Sequence, residues 1–95
     1  MAHNVNITIP TALRAHADGN AKLELAGETI GVVLRDLAGR YPELGRRLFK
    51  DDGQLNRYVN IFVNDEDIRF LENLDTPLGA GDRVAIVPAI AGGSV

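Results

Sequence analysis

A chain of 95 residues is enough for one domain with one core, which at this size buries roughly 60 to 70% of the surface that the unfolded chain exposes. With 45% hydrophobic and 24% charged residues it has the composition of a folded globular protein, and with no cysteine it excludes a disulfide framework, a thiolate metal site and a cysteine nucleophile. A net charge of −3 provides no general basic surface for phosphates, which argues against nucleic acid as a partner.

The opening "MAHNVNITIP" has no basic region followed by an apolar one, and "VAIVPAIA" is far shorter than the ~20 residues of a membrane helix. The expectation is a cytoplasmic protein with no membrane contact. In "NVNITIP", Val5, Ile7 and Ile9 alternate with polar residues, the period of a strand buried on one face. Asp18-Gly19-Asn20 marks a turn, and Lys22 to Leu25 alternate again up to Gly27, predicting a second strand paired with the first as a hairpin. The spacing then changes. Ile30, Val33, Leu34, Leu37 and Tyr41 fall on one helical stripe, with Thr29 as N-cap and Pro42 as the stop. Gly31 and Gly39 each cost this helix roughly 1 kcal/mol against Ala, so packing of the stripe must hold it. "PELGRRLF" predicts a short further helix with Pro42 at its first position and Leu44 and Leu48 four apart, and "KDDGQLN" a loop.

"RYVNIFVND" predicts the strongest strand, with Val59, Ile61 and Val63 on one face and Tyr58, Asn60, Phe62 and Asn64 on the other. A turn at Asp65-Glu66 leads into a short return strand, "DIRFL", and "TPLGAGD" reads as a loop. The last strand, "RVAIVP", points Val84 and Ile86 inward and Ala85 and Val87 outward, and Pro88 stops its ladder for want of an N–H. The sum is an α+β roll of the β-grasp type over residues 1–88, a mixed sheet with one main helix across one face, followed by a flexible tail over 89–95.

The element order, the segment "RYVNIFVNDEDIRFL" and the Gly92-Gly93 pair directly after "GDRVAIVPAIA" resemble the ubiquitin-like sulfur-carrier family. That family, the MoaD/ThiS type, includes the small subunit of molybdopterin synthase and the thiamine-biosynthesis sulfur carrier. "VNDEDIRF" most resembles the branch that supplies sulfur for cysteine synthesis. The resemblance implies that a ubiquitin-activating-type adenylyltransferase uses ATP to adenylate the carboxylate of Gly93, and that sulfur then displaces AMP to leave a thiocarboxylate. A sulfur-accepting synthase would receive it. The chain itself would bind no cofactor and would be carrier and substrate, not enzyme. Ile90, Ala91 and Gly92 would thread the partner's channel; without a Cβ, Gly92 and Gly93 fit a narrow passage and leave the acyl carbon open to attack.

One departure stands out. Ser94-Val95 follows the glycines, so the carboxyl of Gly93 is held in a peptide bond. The resemblance implies a metal-dependent, isopeptidase-like protease that cuts between Gly93 and Ser94. Alternation along the strands also puts Phe62 and Val87 on the open sheet face near the root of the tail, a candidate docking patch for the activating enzyme.

Other motifs read as structure. Asp65, Glu66 and Asp67 lack calcium-loop spacing and read as a solvated turn; Gly79-Ala80-Gly81 lacks the flanking residues of a phosphate loop. His3 and His16 have no ligand partners at metal spacing, Arg46 and Arg47 read as a solvated helix face, and Ser94 has no base beside it. Besides the cysteine-directed carrier, the open alternatives are a molybdopterin-synthase small subunit, a thiamine sulfur carrier, a ubiquitin-like modifier conjugated through Gly93, and a plain β-grasp binding module.

Overall fold

The computed structural model describes residues 3–88. Strand β1 (His3–Thr8) is followed by a 3-10 helix (Thr11–Ala17), strand β2 (Lys22–Gly27) and helices α1 (Ile30–Arg40) and α2 (Pro42–Leu48). Strands β3 (Val59–Val63) and β4 (Glu66–Asp67) form the next hairpin; short 3-10 turns at Ile68–Phe70 and Asn73–Asp75 then lead to β5 (Arg83–Pro88). The sheet order is β2-β1-β5-β3-β4, with β1 and β5 parallel and every other pair antiparallel. This is the mixed sheet of the expected β-grasp roll, and the expected flexible tail over 89–95 lies outside the described residues.

Alternation decides which sheet face is covered. Val5, Ile7 and Ile9 from β1 and its continuation, Leu25 from β2, Ile61 and Val63 from β3, and Val84 and Ile86 from β5 are all buried on one face. The α1 stripe closes over them: Ile30, Val33, Leu34 and Leu37 are fully buried, and Leu44 and Leu48 of α2 extend the same core. The helix begins as expected, with Thr29 Oγ1 accepting from Val32 N–H at 3.3 Å, and Pro42 opens α2 at its first turn. Val59 is only half-buried, packed at the margin of the core.

Three local expectations are corrected. The hairpin between β1 and β2 holds, but its connection carries the 3-10 helix, which sends Leu13 and Ala17 into the core. The β3–β4 turn is Asn64-Asp65, one residue earlier than expected, and both residues have positive φ (50° and 73°), the mark of a two-residue type I′ loop. Of the expected return strand "DIRFL" only Asp67 is in a strand, β4 being Glu66–Asp67, because the Asp67 carboxylate accepts from Arg69 N–H at 2.9 Å and turns the backbone into a 3-10 helix.

Candidate functional site

The last strand is the scaffold of the site. β5 lies inside the sheet, but its two neighbours cover different stretches of it: β1 pairs with Arg83–Ala85, whereas β3 pairs with Val84–Pro88. Residues Ile86–Pro88 thus lie past the β1 pairing, with β3 as their strand partner among the described residues. The start of β5 is pinned by the "GAGD" turn, in which Gly79 N–H donates to Asp82 Oδ2 at 2.8 Å and Gly81, at φ +82°, donates to Asn4 C=O at 2.9 Å. That segment is a turn, as expected.

On the open face the cross-strand pairs Phe62↔Ala85 and Asn60↔Val87 place Phe62 and Val87 diagonally, a relation that spans about 7 to 8 Å. Ala85, a small residue, sits between Phe62 and Thr8 in the register. Phe62 is half-buried and Val87 is 41% exposed, so the two form an apolar strip one residue before Pro88. Ile90, Ala91, Gly92, Gly93 and Ser94, named above for threading, sulfur loading and processing, lie outside the described residues.

The acidic turn departs from its expected role. Asp65 and Glu66 are exposed, but Asp67 is buried, and its carboxylate takes Arg69 Nη2 at 2.6 Å and Nε at 3.1 Å. These hydrogen bonds, outweighing burial, hold the Asp67 carboxyl below the usual carboxylate value. The clamp fixes the 3-10 turn and leaves Phe70 exposed, a consequence that the strand reading of "DIRFL" concealed. Arg46 pairs with Glu43 at 2.7 Å on the surface of α2, and Arg47 Nε donates to His16 Nε2 at 3.0 Å. Among the described residues no group of three or more His, Asp or Glu side chains is placed to hold a metal, and no helix is long and apolar enough to cross a membrane.

A family model, the ThiS family, matches residues 7–93, running through both glycines and stopping before Ser94. The chain belongs to the ThiS family. Its ThiS-family relatives include the sulfur carrier protein CysO of Mycobacterium tuberculosis, 46% identical over 92 residues, which cover 95% of this chain and 99% of that protein. Among solved structures, the Amycolatopsis orientalis BexX/CysO complex contains a chain that superposes with a TM-score of 0.85 at 39% identity, covering 94% of this chain and 99% of that one. The small archaeal modifier protein 1 of Methanosarcina acetivorans superposes with a TM-score of 0.87 at 32% identity, covering 98% and 99%. The resemblance drawn from the residues is borne out, and so is the ubiquitin-like β-grasp fold.

Proposed function

We propose that this chain is a sulfur carrier that bears its cargo as a thiocarboxylate on Gly93. The observation that carries the reading is the placement of Gly92-Gly93 within a ThiS-family match, beyond a strand whose last residues project from the sheet beside an apolar strip. Gly93 is the fifth residue after Pro88, a span of at most about 18 Å when fully extended, enough to enter a partner's channel while the body stays outside.

The sequence of steps follows from the chemistry of an acyl group. Hydrolysis of the Gly93–Ser94 peptide bond frees the carboxylate, a step assigned to a metal-dependent protease. The carboxylate attacks the α-phosphorus of ATP on an adenylyltransferase, releasing pyrophosphate, and a sulfur nucleophile displaces AMP. A partner synthase then accepts the sulfur for cysteine or a related sulfur metabolite, and hydrolysis returns the carboxylate. The chain binds no cofactor of its own and catalyses none of these steps; ATP and any metal belong to the partners, and all of this takes place in the cytoplasm. Phe62 and Val87 dock the body on the activating enzyme while Ile90, Ala91 and Gly92 occupy its channel.

The test is the intact mass of the protein taken from its own cells under conditions that protect thioacids. A species ending at Gly93 with one oxygen replaced by sulfur supports both processing and cargo; a population that always retains Ser94-Val95 and never carries sulfur overturns them. The likeness to the archaeal modifier favours a second reading, conjugation of Gly93 to lysines of other proteins. It would show as higher-mass species joined through Gly93.

A further inference from the structure

The β3 edge offers a site separate from the tail. β5 pairs with all of Val59–Val63, but β4 covers only Phe62 and Val63 before the Asp67 clamp turns the chain away. Among the described residues, Val59, Asn60 and Ile61 therefore have a strand neighbour on one side only. Backbone direction follows from the hydrogen bond of Asn64 N–H to Arg83 C=O, 2.8 Å: residues 64, 62 and 60 point their N–H and C=O groups toward β5, so those of 61 and 59 point to the uncovered side. Val59 N–H is taken by Asn56 C=O at 3.1 Å, which leaves the Ile61 N–H and the Val59 C=O facing outward.

That edge borders a groove of about 270 Å³ with Leu55, Val59, Ile61 and Ile68 among its walls and Arg57 and Arg69 at its rim. Its charge is unlike that of the whole chain. Arg57 is exposed and makes no ion pair among the described residues. Asp67, the carboxylate lining the groove, takes Arg69 Nε and Nη2, and Nη1 of that guanidinium makes no hydrogen bond among the described residues. A chain of net charge −3 thus carries a cationic rim along its open ladder edge.

We propose that this edge takes an extended acidic segment of a partner protein by strand addition. Main-chain bonds form to Val59 and Ile61, an apolar side chain enters the groove, and flanking carboxylates meet Arg57 and Arg69. Alternation in the incoming strand fixes the pattern, with side chains two apart sharing a face.

The probes are three peptides, acetyl-Glu-Val-Glu-Val-Glu-amide and its Gln and Lys counterparts, titrated into the full chain with amide exchange and chemical shifts read residue by residue. Without peptide, the Ile61 amide exchanges faster than those of Asn60 and Phe62. Saturating Glu peptide slows the Ile61 amide about ten-fold or more, with shifts centred on Leu55–Ile61 and Ile68–Asn73. Arg57→Glu, at an exposed position, weakens the Glu peptide about five-fold and strengthens the Lys peptide. Equal binding of Glu and Lys peptides overturns the proposal, as does an Ile61 amide that no peptide slows; in either case the arginines only guard the edge against aggregation.

Discussion

Two adjacent residues of β3 should give opposite phenotypes when cut to alanine. Ile61 is 1% exposed within the core cluster, so Ile61→Ala removes buried methylenes and leaves a cavity, a cost of about 2 to 5 kcal/mol. In a domain of this size that lowers Tm by at least about 10 °C. Phe62, its neighbour, lies half-buried on the other face across from Ala85, where truncation costs about 1 kcal/mol of folding stability. If its ring anchors the activating enzyme, however, Phe62→Ala should lose about 2 kcal/mol of docking, a roughly 30-fold rise in KM for the carrier. The assay is ATP–pyrophosphate exchange by the adenylyltransferase on chains ending at Gly93, read beside thermal melts of each variant. A Phe62→Ala melt as low as that of Ile61→Ala would refute the assignment of faces. An unchanged KM in a well-folded Phe62→Ala chain would refute the docking role.

Helical glycines divide by their surroundings: nothing lies within 4 Å of a Cβ added at Gly39, so Gly39→Ala should stabilise by about 0.5 to 1 kcal/mol in urea unfolding. At Gly45 the added Cβ would fall 2.7 Å from Ala38 Cβ and 3.1 Å from its Cα, so Gly45→Ala should destabilise by about 1 kcal/mol despite better propensity, with the loss relieved by Ala38→Gly. Asp65→Gly suits the positive φ of the β3–β4 turn and removes only an exposed 3.8 Å ion pair with Arg83; its urea midpoint should rise by the equivalent of about 0.5 kcal/mol. The lowered pKa of Asp67 means that its contribution is present above the unfolded value of 3.8 and is lost as pH falls through the lower folded value. Urea unfolding of the native chain and of Asp67→Asn should therefore differ at pH 7 and converge in strong acid.

The legible parts of the fold are those where one periodicity runs long enough to outvote local chemistry. Alternation over Val59–Val63 and Arg83–Pro88 and the stripe from Ile30 to Leu37 are written by the core, and the structure repeats them. The less legible parts turn on single side chains. "DIRFL" has the composition of a strand, and only the Asp67 carboxylate, reaching its own backbone two residues on, makes it a turn. The cationic edge groove was hidden for the same reason, since a full-length β4 would have covered Val59–Ile61. Likewise, Gly31 reads as a mere cost to α1, yet a Cβ there would lie 3.1 Å from the Leu74 carbonyl oxygen; its smallness admits the 3-10 turn at Asn73–Asp75.

The overhang of β5 joins the fold to the proposed cargo. A carrier presented in turn to an activating and an accepting enzyme needs a root that keeps its position while the segment beyond it is engaged. A free edge strand would serve poorly, because its backbone can pair with other chains. β5 instead begins between β1 and β3, tied by the turn at Gly79–Asp82, and ends paired with β3 but, among the described residues, not with β1. Beyond the β1 pairing Val87 is 41% exposed, while the antiparallel pair with β3 sets Phe62 diagonal to it. One topological choice, parallel pairing that stops at Ala85 against antiparallel pairing that runs to Pro88, thus yields both a fixed root and an apolar strip next to it. Lengthening the β1 pairing would bury that strip's flank, so a variant whose β1 ladder is extended past Ala85 should melt higher and yet be adenylated more slowly.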